Sequence, residues 1–376
     1  MNILFITPSE VQPLNGGIER TTYALSQALL TYHGHVCYFR SLEDGYTEQQ
    51  WENYILEQAI DVIVAQGANK RITQLLPMLR HIVNRAERKI VLLFVFHSNP
   101  GVELITMDYT ALFNRIIHGI DIKANLQQLA MQLSLPITRK AVQNHLRKKY
   151  RIPYDYADKI VLLSSRYIPE YCSIAGVNED KFEAIPNMLP LQIKPYTGTK
   201  KKIVLLVSRM EERQKRIKLA LRIWSNTPHD GWQLKILGKG EDLDYYKWLM
   251  KKWHMSDISF EGQQNPIPYY NEASIFIMTS SCEGLPMTIL EARQCGCVPI
   301  VFNTFSSLPD IVTDGENGFV VKEGDEQQYV ARLTELMNNE QMRRKMLENV
   351  ESSIKRFAPQ TVAAQWNTLF NELVNK

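Results

Sequence analysis

The stretch LPLQIKPYTGTKKKIVLLVS, Leu189–Ser208, decides the fold. Its first part mixes Pro, Gly, Thr and Lys with no apolar period, which is the composition of a connection between packed units. Its second part, KIVLLVS, is a short unbroken apolar run, the pattern of a strand buried on both faces. What lies before it already reads as a complete α/β unit. NILFIT opens the chain as a strand, and IERTTYALSQALLTYH follows with apolar residues at helical spacing. VCYFRS, DVIVAQ, IVLLFVF, DKIVLLSS and the short KFEAIPN read as further strands, with the helix RITQLLPMLRHIVN among them. After the connection the alternation restarts: RIKLALRIWSNT (helix), QLKILG (strand), DLDYYKWLMKKW (helix), ISFEG and IFIMTS (strands), TILEARQCG (helix), VPIVFN (strand). Strands alternating with helices build a parallel sheet covered on both sides. The expectation is therefore an α/β chain of two Rossmann-like, doubly wound domains. Residues 1–188 form the first, 189–200 a linker, 201–355 the second, and 356–376 a C-terminal helix.

Composition agrees. The chain has 376 residues, 45% hydrophobic and 22% charged, enough for two cores. A net charge of +3 is too small to call for a nucleic-acid partner. Five cysteines (Cys37, Cys172, Cys282, Cys295, Cys297) form no regular framework, and the spacing of the last two fits no common zinc motif. They read as free thiols of a reducing compartment. MNILFITPSE does not read as a signal peptide, and no apolar run is long enough to span a bilayer. The expectation is a soluble cytoplasmic protein.

Five stretches carry candidate chemistry. NGGIER, Asn15–Arg20, puts Gly16 and Gly17 between strand and helix, where backbone can approach a phosphate at a helix N-terminus. Two glycines in a loop are more often a plain turn, and the missing GxGxxG argues against a dinucleotide oxidoreductase. SRMEERQKR, Ser208–Arg216, places Arg209 and Lys215 after the strand that opens the second domain. Two such cations suit a diphosphate; the alternative is a solvated basic loop. LGKGEDLDYY carries Gly238 and Gly240 at a strand-to-helix turn. Its Asp242-Leu243-Asp244 spells DxD but falls in a first helical turn, where acids complement the helix dipole. EGLPMTILE, Glu283–Glu291, sets one acid in a Gly-Pro loop and the second within the next helix. Over Leu285 to Met287, following Gly284, the backbone N–H groups on either side of Pro286 would point at an anion, and Glu291 could hold a ribose diol. The alternative is a capping acid and a surface acid. FHSNP places His97 at the C-terminal end of a buried strand, the end where sites form.

Taken together these stretches resemble the family-4 retaining glycosyltransferases, also described as glycosyl transferases group 1, whose GT-B fold sets two Rossmann-like domains across a cleft. The resemblance rests on Glu283-X7-Glu291 followed by GCVPIV, and on GGIER, FHSNP, ADKIVLLSS, SRMEERQKR, LGKGE, ISFEG and TDGENGFVV in that order. It covers most of the chain and is weakest between roughly Val102 and Tyr150. It implies that a sugar moves from a nucleotide-diphosphate sugar to a carbohydrate or lipid-linked acceptor, with retention and without a metal or other cofactor. Arg209 and Lys215 would bind and stabilise the diphosphate; Gly16 and Gly17 would approach it. Gly238 would border the donor, Glu291 would hold the ribose, Glu283 would lie near the sugar hydroxyls, and His97 would contact the sugar. The product class implied is cell-surface polysaccharide or glycolipid. The alternatives are a GT-B nucleotide-sugar epimerase, for which the needed acids and histidines are not evident, and a non-catalytic nucleotide-sugar-binding scaffold. Two departures stand out: Gly-Leu-Pro after Glu283 where many members have Gly-Phe-Gly, and Ser-Ser in NTFSSLPDIV where many have Gly-Gly.

Between Asp121 and Asp155 there is no acid but seven cations: Lys123, Arg139, Lys140, Arg147, Lys148, Lys149 and Arg151. AVQNHLRKKYRIPY interleaves them with apolar residues. Arg147, Lys148, Lys149 and Arg151 are the candidates for docking on an anionic cytoplasmic membrane face or an acidic acceptor. A solvated basic helical hairpin is the alternative. The final segment repeats Val362, Trp366, Leu369, Phe370 and Leu373 at helical spacing and needs an apolar partner; the resemblance implies that it crosses back to the first domain, with packing on the second as the alternative.

Overall fold

The computed structural model describes every residue except 13–16, 68–69, 106–108, 118–121, 191–193, 195, 197, 349 and 376. The chain folds as two compact units. Met1–Gly101, Lys140–Leu191 and Lys355–Lys376 make the first; Val102–Arg139 and Gln192–Ile354 make the second.

The first unit holds six strands: β1 (Asn2–Thr7), β2 (Val36–Ser41), β3 (Val62–Gln66), β4 (Val91–Phe96), β5 (Lys159–Leu162) and β6 (Phe182–Ala184). They pair in parallel in the order β2-β1-β3-β4-β5-β6. The order reverses beside β1, so the loops after β1 and β3 lie at the switch point. β3 and β4 are buried throughout, which is why they read as unbroken apolar runs. The helix Ile18–His33 packs on one face with Leu25, Ala28 and Leu29, and the helix Pro359–Val374 joins it there. Val362, Ala363, Trp366, Leu369 and Phe370 share that core with Ile3, Phe5, Val64 and Leu93. Asn367 Oδ1 lies 2.8 Å from His35 Nε2 beside it. The opposite face is filled by Leu76, Leu79, Tyr150, Tyr167 and Tyr171 over Ile63, Leu92 and Phe94.

The second unit repeats the plan with β7 (Lys201–Val207), β8 (Gln233–Leu237), β9 (Ile258–Gly262), β10 (Ala273–Met278), β11 (Val298–Asn303) and β12 (Phe319–Lys322). The order is β12-β11-β10-β7-β8-β9, all parallel. This is the 3-2-1-4-5-6 order of dinucleotide-binding sheets, with its reversal between β7 and β10. The edge strand β12 begins within the segment TDGENGFVV and is too short to stand out as a strand on its own pattern.

The stretch read alternatively as a basic helical hairpin is instead one helix, Ile122–Tyr156, of 35 residues. Pro136 and Pro153 lie inside it. A proline deletes one backbone donor, and packing on both sides of that point keeps the helix going. Here Leu129 packs against the second unit's core, and Leu146 and Tyr150 lie in the first unit's.

Candidate functional site

The loops after β7 and β10 meet at the reversal of the second sheet. After β7 a single turn, Glu212–Lys215, is followed by Arg216 at φ +48°, which redirects the chain into the helix Ile217–Ser225. Backbone strain at Arg216 is held by its own side chain: Nε donates to the Thr279 carbonyl (2.7 Å) and a terminal nitrogen to that of Ser280 (3.2 Å). Thr279 Oγ1 donates back to the Lys215 carbonyl (3.0 Å), and the Ser281 N–H to that of Gln214 (2.7 Å). The two loops are thus stitched together by main-chain groups. Lys215 Nζ then lies 2.6 Å from Glu283 Oε1, with both side chains largely buried. Arg209 sits on the same loop with its side chain 70% exposed. It donates to Gln214 Oε1 (3.0 Å), and Gln214 Nε2 donates to the Cys282 carbonyl (3.0 Å). Three of the predicted residues, Arg209, Lys215 and Glu283, are therefore joined directly or through Gln214.

Gly284, Leu285 and Pro286 lead from Glu283 into the helix Met287–Gln294, whose N-terminus has no side-chain cap. Its first-turn N–H groups are the donors an anion would use. Leu285, Pro286 and Met287 are buried. The Gly284 carbonyl accepts from Ser307 Oγ (2.9 Å). One of the two serines that stand where glycines are common thus holds the loop through its side chain. Glu291 is only 1% exposed and accepts from the Tyr270 hydroxyl (3.2 Å). It is a buried acid beneath the helix start rather than a surface one. Tyr270 had no signal of its own in the sequence.

Gly238 has a structural reason to be glycine. Its φ is +137°, and a Cβ there would overlap the Ser208 carbonyl oxygen. A Cβ on Gly240 would overlap the Met210 backbone. Here the β8 loop lies against the β7 loop: Met210 N donates to the Lys239 carbonyl (2.9 Å) and Asp242 N to that of Met210 (3.1 Å). Asp242 is fully buried, accepting from Arg115 (2.9 Å) and from the Glu212 N–H (2.8 Å). It does more than complement a helix dipole; it holds the Glu212–Lys215 turn in place. Burial pushes its carboxyl up, and pushes the neighbouring Glu212 up to about 7. Arg115 went unread because it lies where the resemblance is weakest.

The other predicted residues belong to the first unit. Gly16 lies outside the described residues. Gly17 precedes the helix Ile18–His33 at an ordinary φ of −85°, and a Cβ there would meet no described atom within 4 Å. Neither conformation nor packing asks for glycine at 17, which leaves room for a ligand to approach. His97 follows β4, with Nε2 hydrogen-bonded to Gln66 Oε1 at the end of β3. Burial pushes its imidazole down to about 4, so it is neutral at physiological pH. Of the basic candidates, Arg147 packs its guanidinium over Gly176, at the C-terminal end of the helix Tyr167–Ala175. Arg151 lies 3.4 Å from Asp155, Lys149 stands over the Tyr150 ring, and Lys148 is exposed.

Residues 192–353 match the family model of glycosyl transferases group 1. This segment is a group 1 glycosyl transferase domain. The group 1 match holds every predicted residue of the second unit. Over a longer stretch, the chain is 26% identical to the amylovoran biosynthesis glycosyltransferase AmsD of Erwinia amylovora across 238 residues, 60% of this chain and 66% of that protein. It is 25% identical to an exopolysaccharide phosphotransferase of Streptomyces coelicolor across 224 residues, 58% of this chain and 24% of that one. The matches thus span less than two thirds of either relative. Anabaena HepE, solved in complex with UDP and glucose, superposes with a TM-score of 0.72 at 16% identity, covering 99% of this chain and all of that one. That likeness fixes the fold as GT-B, an α/β chain with two six-stranded parallel sheets.

Proposed function

We propose that the chain is a retaining glycosyltransferase that moves a sugar from a nucleotide-diphosphate sugar to a carbohydrate or lipid-linked acceptor, in cell-surface polysaccharide or glycolipid assembly. The observation that carries this reading is the Lys215–Glu283 pair at the β7/β10 reversal, the point where a doubly wound sheet takes its ligand. The relatives' names add polysaccharide assembly, and the HepE complex adds UDP and glucose as the ligand class.

The chemistry follows from the residues. When the sugar–phosphate bond breaks, negative charge grows on the diphosphate. Arg209, exposed on the loop after β7, Lys215, fixed by two stitched loops, and the uncapped helix Met287–Gln294 supply positive potential there. A carboxylate held by an ammonium, as Glu283 is, makes a poor nucleophile. Attack by the acceptor on the leaving-group face needs no protein nucleophile, because the departing phosphate can take the acceptor's proton. Retention follows from that geometry. No metal is needed where two cations and a helix terminus already meet the diphosphate, and Asp242 of the DxD letters is engaged by Arg115. Glu291 would take the ribose hydroxyls, with Tyr270 orienting its carboxylate. His97, kept neutral, would meet the sugar as a hydrogen-bonding group, and Gly17 would let the backbone near the donor. The basic residues Arg147, Lys148, Lys149 and Arg151 would keep the chain at the cytoplasmic face of the membrane, beside a lipid-linked acceptor.

The test is donor binding and turnover together. A melting-temperature panel of UDP-, GDP- and ADP-sugars should rank one donor first, with stabilisation growing as RT ln(1+[L]/Kd). Arg209→Ala should cut turnover by about 10²–10³ with a smaller loss of binding. Glu291→Gln should remove most of the donor-induced shift. Binding of every donor with no transfer or hydrolysis would make the chain a nucleotide-sugar scaffold and overturn the enzymatic reading. An undiminished shift in Glu291→Gln would overturn the ribose assignment.

A further inference from the structure

The segment 102–139 of the second unit carries an apolar surface that its own core does not use. It contains the helix Tyr109–Ile117 and the first half of the helix Ile122–Tyr156. The inner faces are accounted for: Ala111 and Leu112 lie in the core, Ile116 and Leu129 pack against it, and Asn125 and Gln132 are buried. The outer faces are not. On the first helix Tyr109, Phe113 and Ile117 recur every four residues and are exposed, Ile117 by 78%. On the second, Ile122, Leu126, Leu133 and Ile137 are exposed, Ile137 by 90%. At 100° per residue these four fall within an arc of about 60°. A soluble surface scatters its large apolar side chains; it does not line them up.

Charge says what covers this face. On the same helical wheel Lys123 lies about 40° beyond one edge of the apolar stripe and Arg139 about 100° beyond the other, and Lys140 falls in line with it. Neither helix carries an acid before Asp155. Long cationic side chains beside an apolar stripe reach out to lipid phosphates while the stripe enters the acyl boundary. A second copy of this chain would instead bring the same cations face to face. No helix among the described residues is long and apolar enough to cross a membrane, so the contact lies along the surface.

We propose that the outer faces of Tyr109–Ile117 and of residues 122–137 lie in the interface of an anionic bilayer. This deepens the reading of the acceptor as lipid-linked and rests on it only for what the docked enzyme then does. The docking segment is fastened to the donor loop. Arg115 pairs with Asp242, which holds the Glu212 N–H, and Arg213 donates to the Ile105 carbonyl (3.1 Å). A bilayer that orients these helices therefore orients the loop of Arg209 and Lys215 as well.

The full-length chain should float with vesicles of phosphatidylcholine mixed with phosphatidylglycerol and stay behind with phosphatidylcholine alone. Leu133→Glu with Ile137→Glu, and separately Lys123→Glu with Arg139→Glu, should each lose most of the bound fraction while melting as the wild type does. Their donor hydrolysis without vesicles should be unchanged. A wild type that does not float with anionic vesicles, or glutamate variants that float as it does, would overturn the proposal. So would a wild-type dimer that binds no vesicles and that Leu133→Glu with Ile137→Glu turns into a monomer. A chain that floats but turns over no donor keeps the docking and overturns the transferase reading alone.

Discussion

At the residue scale, residue type and position were legible and contact was not. Arg209, Lys215, Glu283 and Glu291 stand out by type and by position after strands. That Lys215 and Glu283 form one pair could not be read, because 68 residues separate them and only the parallel order of β7 and β10 brings their loops together. His97 shows what burial adds. The unfolded chain takes up a proton at His97 near the ordinary value of about 6.5, whereas the folded chain holds out until about 4. Between those values the unfolded state binds more protons, so stability falls as the pH falls through that window, by up to about 1.4 kcal/mol per pH unit. Below it the loss levels off. Denaturant midpoints at about pH 7 and about pH 4.5 should show this slope in the wild type and a shallower one in His97→Gln. Parallel slopes would assign the acid sensitivity to other groups.

At the element scale, the strand and helix runs were read almost to the residue because sheets covered on both faces leave unbroken apolar runs. NILFIT, VCYFRS, ISFEG and VPIVFN match their strands end to end. The elements missed include short ones, such as Glu212–Lys215 and β12, the helices Glu48–Glu57, Tyr167–Ala175 and Glu326–Asn338, and those between Val102 and Tyr150. The glycines show how alike two signals look before folding. Gly17 and Gly238 both sit between a strand and a helix, yet only Gly238 is demanded by φ and by a carbonyl against its Cα. Gly238→Ala should therefore cost about 2 kcal/mol or more, from positive-φ strain plus overlap. Gly17→Ala should leave the unfolding midpoint within about 0.5 kcal/mol of the wild type and weaken donor binding instead. Equal stability losses at the two sites would show that Gly17 is also structural. Unequal stability with equal donor affinity would remove Gly17 from the donor site.

At the scale of the whole molecule, the first unit is not a contiguous stretch of chain. Residues 355–376 complete it, with Trp366 and Phe370 against the β1 and β3 side chains. Trp366→Ala should cost about 3–5 kcal/mol in chemical unfolding, since a large ring leaves a cavity in a sheet core. A loss below about 1 kcal/mol would mean that the helix is only loosely attached. The same scale decides the role of 102–139. Its sequence reads as a weak, basic interruption, whereas the structure seats it on the second unit's core through Ala111, Leu112 and the Arg115–Asp242 pair.

The sequence by itself determined two α/β halves and the residue types from which a nucleotide-sugar site is proposed. These are local properties: apolar period, turn chemistry and the order of motifs along the chain. Only the tertiary structure decided that Glu283 answers Lys215, that Glu291 is buried under Tyr270, that Asp242 serves Arg115, and that an apolar stripe stays uncovered on 109–137. The reason is the same in each case. Pairing and burial depend on which distant segments a parallel sheet sets side by side, and no window of sequence contains both partners.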